Sequence, residues 1–274
     1  IVVGGDAYLY RANYEEGTGT DLGAAYVFER NAGGEDNWGE VVKLTTSDAE
    51  DYDMFGSSVA ISGDTIVVGA FGMDTDRGAA YVFERNAGGE NNWGEVVKLT
   101  ASNAEELDKF GDSVAISGDT IVVGASGEDG AGDDCGAVYV FERNEGGEDN
   151  WGEVIKLTAS DAQKSDWFGD SISISGDIIV VGVSGEDGAG DDCGAAYVFE
   201  RNEGGEGNWG EVAKLTASDA ESRDWFGDSV GVSEDTIVAG AKGKDGEFRG
   251  RGAAYVYYDT TGRILFLPLI FVNS

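Results

Sequence analysis

The sequence predicts an all-β chain, a β-propeller of five four-stranded repeats whose first lacks one strand. Three observations predict it: a fixed long period, a turn-rich alternation of apolar and small polar residues inside that period, and no helical periodicity to compete with it. The Phe-Gly pair recurs at Phe55, Phe110, Phe168 and Phe226, in steps of 55, 58 and 58 residues. The segment IVVG recurs at Ile1, Ile66, Ile121 and Ile179, and as IVAG at Ile237; the glycine opening a GAAYVF-type segment recurs at Gly23, Gly78, Gly136, Gly194 and Gly252. Such a period marks an array of units that bury their apolar faces only against neighbours. Four antiparallel strands repeated radially make propeller blades.

The third repeat shows how each element is specified. Residues 113–117, SVAIS, alternate small polar and apolar residues. Gly118-Asp119 then supplies what a two-residue hairpin turn needs. The apolar run from Thr120 to Gly124 suits a strand buried on both faces. After an acidic link, AVYVFE at 137–142 carries aromatics at alternate positions, and a Gly-Gly loop leads into WGEVIKLT at 151–158.

These motifs resemble the FG-GAP repeat family, whose best-known members form the ligand-binding propeller of integrin α subunits: FG opens the first strand, IVVGA stands where the family has Gly-Ala-Pro, and GAAYVF follows. The resemblance spans nearly all of residues 1–260. It implies a non-enzymatic, extracellular or cell-surface module for adhesion or protein interaction, with a protein or glycan ligand. Calcium-binding members carry D-x-D-x-D-G-x-x-D between the first two strands, close-set carboxylates that wrap a hard cation. Here that link is only SGD, at 62–64, 117–119 and 175–177, and SED at 233–235, so the usual calcium loop is missing.

In chain order the repeats are 1–54, 55–109, 110–167, 168–225 and 226–262, within one domain, followed by an apolar tail at 263–274. Repeat 1 begins at its second strand and carries a long link with Tyr8, Tyr10 and Tyr14. That link is either an interaction loop or a flap over the edge of the ring. Trp38, Trp93, Trp151 and Trp209 recur in step; a carbohydrate platform is one reading, but repetition in every unit favours packing anchors between blades. Glu29-Arg30 and its copies, with Lys43 and its copies, are expected as cross-strand ion pairs on an outer face.

The links of repeats 3 and 4 both read GEDGAGDDCG. Glu128, Asp129, Asp133 and Asp134, then Glu186, Asp187, Asp191 and Asp192, stand among glycines that let backbone fold around an ion. They could coordinate calcium, although their spacing matches no strict calcium pattern; the alternative is a solvated acidic turn. No cofactor is required by any motif. Cys135 and Cys193 occupy equivalent places 58 residues apart, and they could form a disulfide between adjacent blades in an oxidising compartment; two free thiols are the alternative, which spacing does not decide.

Catalysis finds no constellation. With no histidine in the chain, a Ser-His-Asp triad and histidine-ligated zinc are excluded. The string GDSVG at 227–231 matches a nucleophile elbow, but that motif means something only between a strand and a helix. A net charge of −35, from 18 basic and 53 acidic residues, repels nucleic acid and anionic membrane surfaces. The longest apolar run, residues 264–272, is about half of what a spanning helix needs, so no membrane insertion is expected. Opening within a strand, the chain reads as a mature or trimmed product.

The strand count leaves the first repeat without its FG strand. Ile264, Leu265, Phe266, Leu267, Leu269, Ile270 and Phe271 are candidates for a strand that closes the ring or is donated to another subunit, with residues 263–269 as the last strand of repeat 5. Donation would be head-to-tail and would build a homopolymeric filament.

Overall fold

The computed structural model describes residues 2–5, 23–130, 132–244, 251–258 and 269–271. They form nineteen strands: β1 (Val2–Gly5), β2 (Ala24–Arg30), β3 (Trp38–Leu44), β4 (Val59–Ser62), β5 (Thr65–Ala70), β6 (Ala79–Arg85), β7 (Trp93–Leu99), β8 (Phe110–Ser117), β9 (Thr120–Ala125), β10 (Ala137–Arg143), β11 (Trp151–Leu157), β12 (Ser171–Ser175), β13 (Ile178–Val183), β14 (Ala195–Arg201), β15 (Trp209–Leu215), β16 (Phe226–Ser233), β17 (Thr236–Ala241), β18 (Ala253–Tyr258) and β19 (Leu269–Phe271). Met73–Asp76 makes a single helical turn whose Asp74 and Thr75 are left-handed.

Sheet 1 has three strands, β1-β2-β3. Sheets 2 to 5 have four each, in the orders β4-β5-β6-β7, β8-β9-β10-β11, β12-β13-β14-β15 and β16-β17-β18-β19. These are the antiparallel four-stranded sheets of which propeller blades are made. By density of contacts the chain divides into two compact units, 1–123 with 141–153 and 124–140 with 154–274.

Within a sheet the sequence pattern maps directly onto position. The IVVG-type strand is second, and β5 is buried at all six residues, as a strand covered on both faces requires. Gly63-Asp64 closes the β4–β5 hairpin, with Gly63 at φ 57° and Ser62 opposite Thr65. The FG-type strand is first. In the first unit β8 lies against β4 and β5; Ser58 Oγ accepts the Val114 amide at 2.9 Å and Ser62 Oγ accepts the Gly118 amide at 3.1 Å. In the second unit Ser173 and Ser175 receive the amides of Val232 on β16 and of Glu234 just after it in the same way. The small polar residues of the FG strand are thus the acceptors that join one sheet to the next.

The Phe of each FG pair is a second joint. Phe55 forms an isolated parallel bridge with Gly23, and Phe110 with Gly78; Phe168 and Phe226 pair likewise with Gly136 and Gly194. A Cβ on Gly78, whose φ is +81°, would stand 2.0 Å from the Phe110 carbonyl oxygen, so only glycine admits this approach. The Phe ring turns the other way, onto its own sheet: Phe55 meets Tyr81 edge-on at 5.7 Å, Phe168 meets Tyr197 at 5.7 Å, and Phe226 meets Tyr255 at 5.3 Å. Full burial of each such ring contributes about 1.5–3 kcal/mol.

The expected pairing of Glu29 and its copies with Lys43 and its copies is corrected. In the register, Glu29 faces Gly39 and Lys43 faces Tyr26, so the two charges are not cross-strand partners. Instead Arg85 reaches back to Glu29 of the preceding sheet at 2.6 Å and to Asp64 of its own hairpin at 2.9 Å, stacking on Trp93 at 4.8 Å. Arg143 repeats this with Glu84, Asp119 and Trp151.

Leu269, Ile270 and Phe271 pair with Val256, Tyr255 and Ala254, completing sheet 5. The last strand thus lies C-terminal to the span expected for it, with only Leu269 in common. Ile264, Leu265, Phe266 and Leu267 lie outside the described residues.

Candidate functional site

The loops that carry the chain from one sheet to the next, 46–54, 101–109, 159–167 and 217–225, hold the densest recurrent polar chemistry. In the first unit Tyr81 Oη donates to Asp48 Oδ1 at 2.7 Å, and Lys98 Nζ donates to Asp48 Oδ2 at 2.7 Å while lying 5.4 Å from the Tyr81 ring centroid. The second unit repeats it: Tyr197 donates to Asp161 at 2.6 Å, and Lys214 bridges Asp161 at 2.7 Å and Glu186 at 2.6 Å. Burial works against ionisation of Asp48 and Asp161, but hydrogen bonds from the lysine and the tyrosine outweigh it and hold both carboxyls below the ordinary aspartate range. Burial and the adjacent carboxylate push the Tyr81 and Tyr197 phenols up.

A second aspartate in each loop turns the chain. Asp53 Oδ2 accepts the Glu50 amide at 2.6 Å, Asp108 that of Glu105 at 2.7 Å, Asp166 that of Gln163 at 2.6 Å, and Asp224 that of Glu221 at 2.8 Å. All four are buried. Desolvation, reinforced by Glu186 and Asp161, raises Asp166 to about 6.

Each loop also contains two left-handed residues that are not glycine, three and one positions before the Phe: Tyr52 and Met54, Leu107 and Lys109, Ser165 and Trp167, Arg223 and Trp225. Bulky side chains adopt this conformation only where surroundings impose it. The surroundings here are backbone. Leu107, Lys109 and Phe110 donate their amides to Thr75, Asp76 and Arg77; Ser165, Trp167 and Phe168 donate to Asp133, Asp134 and Cys135; Arg223, Trp225 and Phe226 donate to Asp191, Asp192 and Cys193. The backbone is therefore fixed in these three loops while the side chain differs from repeat to repeat. Several point outward, with Tyr52 61% and Leu107 59% exposed.

The acidic links of repeats 3 and 4 serve this same zipper. Glu128 is buried against Lys156, as Glu186 is against Lys214. Asp129 Oδ1 accepts the Asp134 amide at 2.7 Å, and Asp187 Oδ1 accepts the Asp192 amide at 2.8 Å. Asp133 pairs with Lys164 at 2.5 Å, and the Asp191 carbonyl takes the Arg223 amide. Among the described residues no three of these carboxylates converge as a metal-binding group.

The expected disulfide is corrected as well: Cys135 and Cys193 are free, buried thiols. Each sulfur organises its own link. Cys135 Sγ accepts the amides of Gly130 and Gly132 at 3.2 Å and donates to the Gly132 carbonyl at 2.9 Å; Cys193 does the same with Gly188 and Gly190. Tyr8, Tyr10 and Tyr14 lie outside the described residues. Ser229 sits within β16, without a following helix.

Sequence reasoning passed over the Tyr-Asp-Lys cluster, although its signal was present: Asp48, Asn103, Asp161 and Asp219 recur in step, as do Lys43, Lys98, Lys156 and Lys214. The left-handed positions left no such signal.

Comparison with curated proteins finds none that matches the chain. A family model described as FG-GAP repeat matches four times, at residues 38–83, 93–141, 151–199 and 209–257. Each matched stretch starts on the outer strand of one sheet and ends on the third strand of the next, so the family's unit of sequence is the seam between two sheets. The matched stretches cover well over half of the chain, which belongs to the FG-GAP repeat family.

Proposed function

We propose that this chain is a non-enzymatic adhesion or recognition module of the cell exterior, its five sheets the blades of one propeller, and that it binds a protein or glycan ligand through the sheet-linking loops. The observation that carries this reading is the left-handed pair in each loop: a repeated backbone conformation, held by the preceding link in three of the four loops, presents Tyr, Leu, Ser and Arg at one position and Met, Lys, Trp and Trp at the other. A packing role keeps a side chain constant from repeat to repeat, as it does at the Phe that follows. Variation on fixed geometry is what recognition requires, and Tyr, Trp, Arg and Met are favoured contact residues. Membership of a family whose propellers generally mediate protein interactions supports it.

A photo-crosslinking residue placed at Leu107 or Trp167, in separate variants, tests it against extracellular extracts. Crosslinked partners are expected at both positions and not at Val96 or Val154, exposed on outer strands. Equal capture at the outer strands, or none anywhere, defeats the reading.

The other reading is a filament assembled by strand exchange through the apolar C-terminal tail. Pairing of Leu269–Phe271 with β18 engages part of the tail that would serve as donor. Light scattering separates the two: a species at 28.7 kDa supports the module, a very large one the filament.

A further inference from the structure

A cleft of about 530 Å³ opens in the second unit between the acidic link of repeat 3 and the loop that follows β11. That volume falls in the range of small-molecule sites, about 300–1,000 Å³. Its room comes from two glycines and two alanines; its polar groups are the Lys156 ammonium, the Thr158 and Ser160 hydroxyls and the Asp161 carboxylate. The walls are fixed before any ligand arrives, which lowers the cost of binding. Ser160 gives its amide at 3.0 Å and its hydroxyl at 2.9 Å to Glu211, and on the link Cys135 Sγ takes the amides of Gly130 and Gly132 at 3.2 Å. The polar groups keep capacity for a ligand. An ammonium has three donors. Among the described residues Lys156 pairs with one carboxylate, Glu128, whereas Lys214, its counterpart one repeat on, pairs with two, Asp161 and Glu186. A carboxylate has about four lone-pair sites, and on Asp161 three are taken, by Tyr197, Lys214 and the residue's own amide. One repeat earlier, Arg77 and Asn103 stand in step with Cys135 and Asp161, so neither the small thiol nor the carboxylate recurs there.

We propose that this cleft binds one neutral sugar ring, an inference that rests on the recognition reading above and narrows its ligand to a glycan. A sugar hydroxyl both donates and accepts. One ring therefore takes hydrogen bonds from Lys156 and Thr158 and gives one to Asp161, while its C–H face lies on the alanine methyls. A fully charged ligand suits the cleft less: an anion meets the field of a chain carrying −35, and a cation meets the Lys156 ammonium.

The probes are the methyl glycosides of glucose, galactose, mannose and N-acetylglucosamine, each titrated to tens of millimolar into the full chain with isotope-labelled alanine methyls. Saturable shifts of the Ala159 and Ala162 signals are expected with at least one of them. Thr158→Val, at an exposed position, weakens binding about five-fold, and Ala162→Leu, which fills the cleft, abolishes it. Where Ala162→Leu loses the parent spectrum elsewhere in the chain, Thr158→Val decides alone. No shift with any glycoside, shifts confined to alanines outside the cleft, or undiminished binding by Thr158→Val overturns the proposal. So does free glycine that moves the same signals as strongly, which would make a zwitterionic amino acid the occupant. The two readings fail distinguishably. A protein crosslinked at Leu107 and Trp167 with no glycoside bound removes this proposal and keeps the recognition reading; glycoside binding with no crosslink anywhere keeps the cleft and removes the left-handed positions as contacts.

Discussion

Sheets 4 and 5 solve one electrostatic problem with opposite assignments of charge. In sheet 4 the loop aspartate, Asp161, is held by Tyr197 and by Lys214 of the outer strand, while Glu186 in the link between second and third strands accepts the other side of the same ammonium. In sheet 5 the outer strand has Ile270 opposite Tyr255, where sheet 4 has Lys214 opposite Tyr197. The lysine has moved to the place of Glu186: Lys244 contacts the Asp219 carbonyl, binds Asp224 at 3.0 Å and approaches the Asp219 carboxylate at 3.7 Å, while Tyr255 donates to Asp219 at 2.7 Å. What is conserved is an ammonium among the loop carboxylates, not the strand that delivers it.

The largest effect is expected from removing that ammonium. Lys214→Met strands the buried Glu186 carboxylate and costs about 3–5 kcal/mol in denaturant unfolding; Lys244→Met, which strands the buried Asp224, costs a similar amount. Converting sheet 4 to the pattern of sheet 5 sharpens the point. Glu186→Lys with Lys214→Ile together cost less than the sum of the two single changes, by about 2 kcal/mol in a double-mutant cycle. Additivity would mean that the two arrangements are not equivalent.

Proton linkage distinguishes the sheets next. Asp166 titrates near 6 against a starting value of 3.8, so the native state holds its proton longer than the unfolded chain. The stability associated with that proton is full below about pH 4 and is lost as the pH rises through 6, a total of about 3 kcal/mol. Asp166→Asn removes this slope from stability measured between pH 4 and 7. Asp224→Asn, which deprives Lys244 of a partner, does not improve stability at neutral pH. Smaller still, Tyr197→Phe and Tyr255→Phe each lose one hydrogen bond to aspartate and about 1 kcal/mol, equally in the two sheets. Chelation is expected to leave thermal unfolding unchanged, since Lys156 and Lys214 occupy the buried link carboxylates; a lowered midpoint would restore calcium to those links.

The strands were legible because their signals are local: alternation in SVAIS, the apolar run of IVVG and the Gly-Asp turn each act within a few residues. What escaped depends on neighbours. Leu107 and Ser165 have no propensity for left-handed backbone, and hydrogen bonding to the preceding link imposes it. Cys135 and Cys193 match in sequence, yet each sulfur is consumed by two amides of its own link. Trp38 and Trp93 stand in nearly the same sequence context, yet one is exposed and the other buried, a difference that local sequence does not encode.

The joints between sheets have one more consequence. Phe55 to Gly23, Phe110 to Gly78, Phe168 to Gly136 and Phe226 to Gly194 are the same joint made four times. Any repeat's leading edge therefore fits any other's trailing edge. Unequal recombination that removes or duplicates a whole period regenerates every joint from residues already present, so copy number is free to drift at little energetic cost. The same interchangeability exposes a chain emerging from synthesis to pairing one repeat out of turn, and a change of half a period destroys two joints at once.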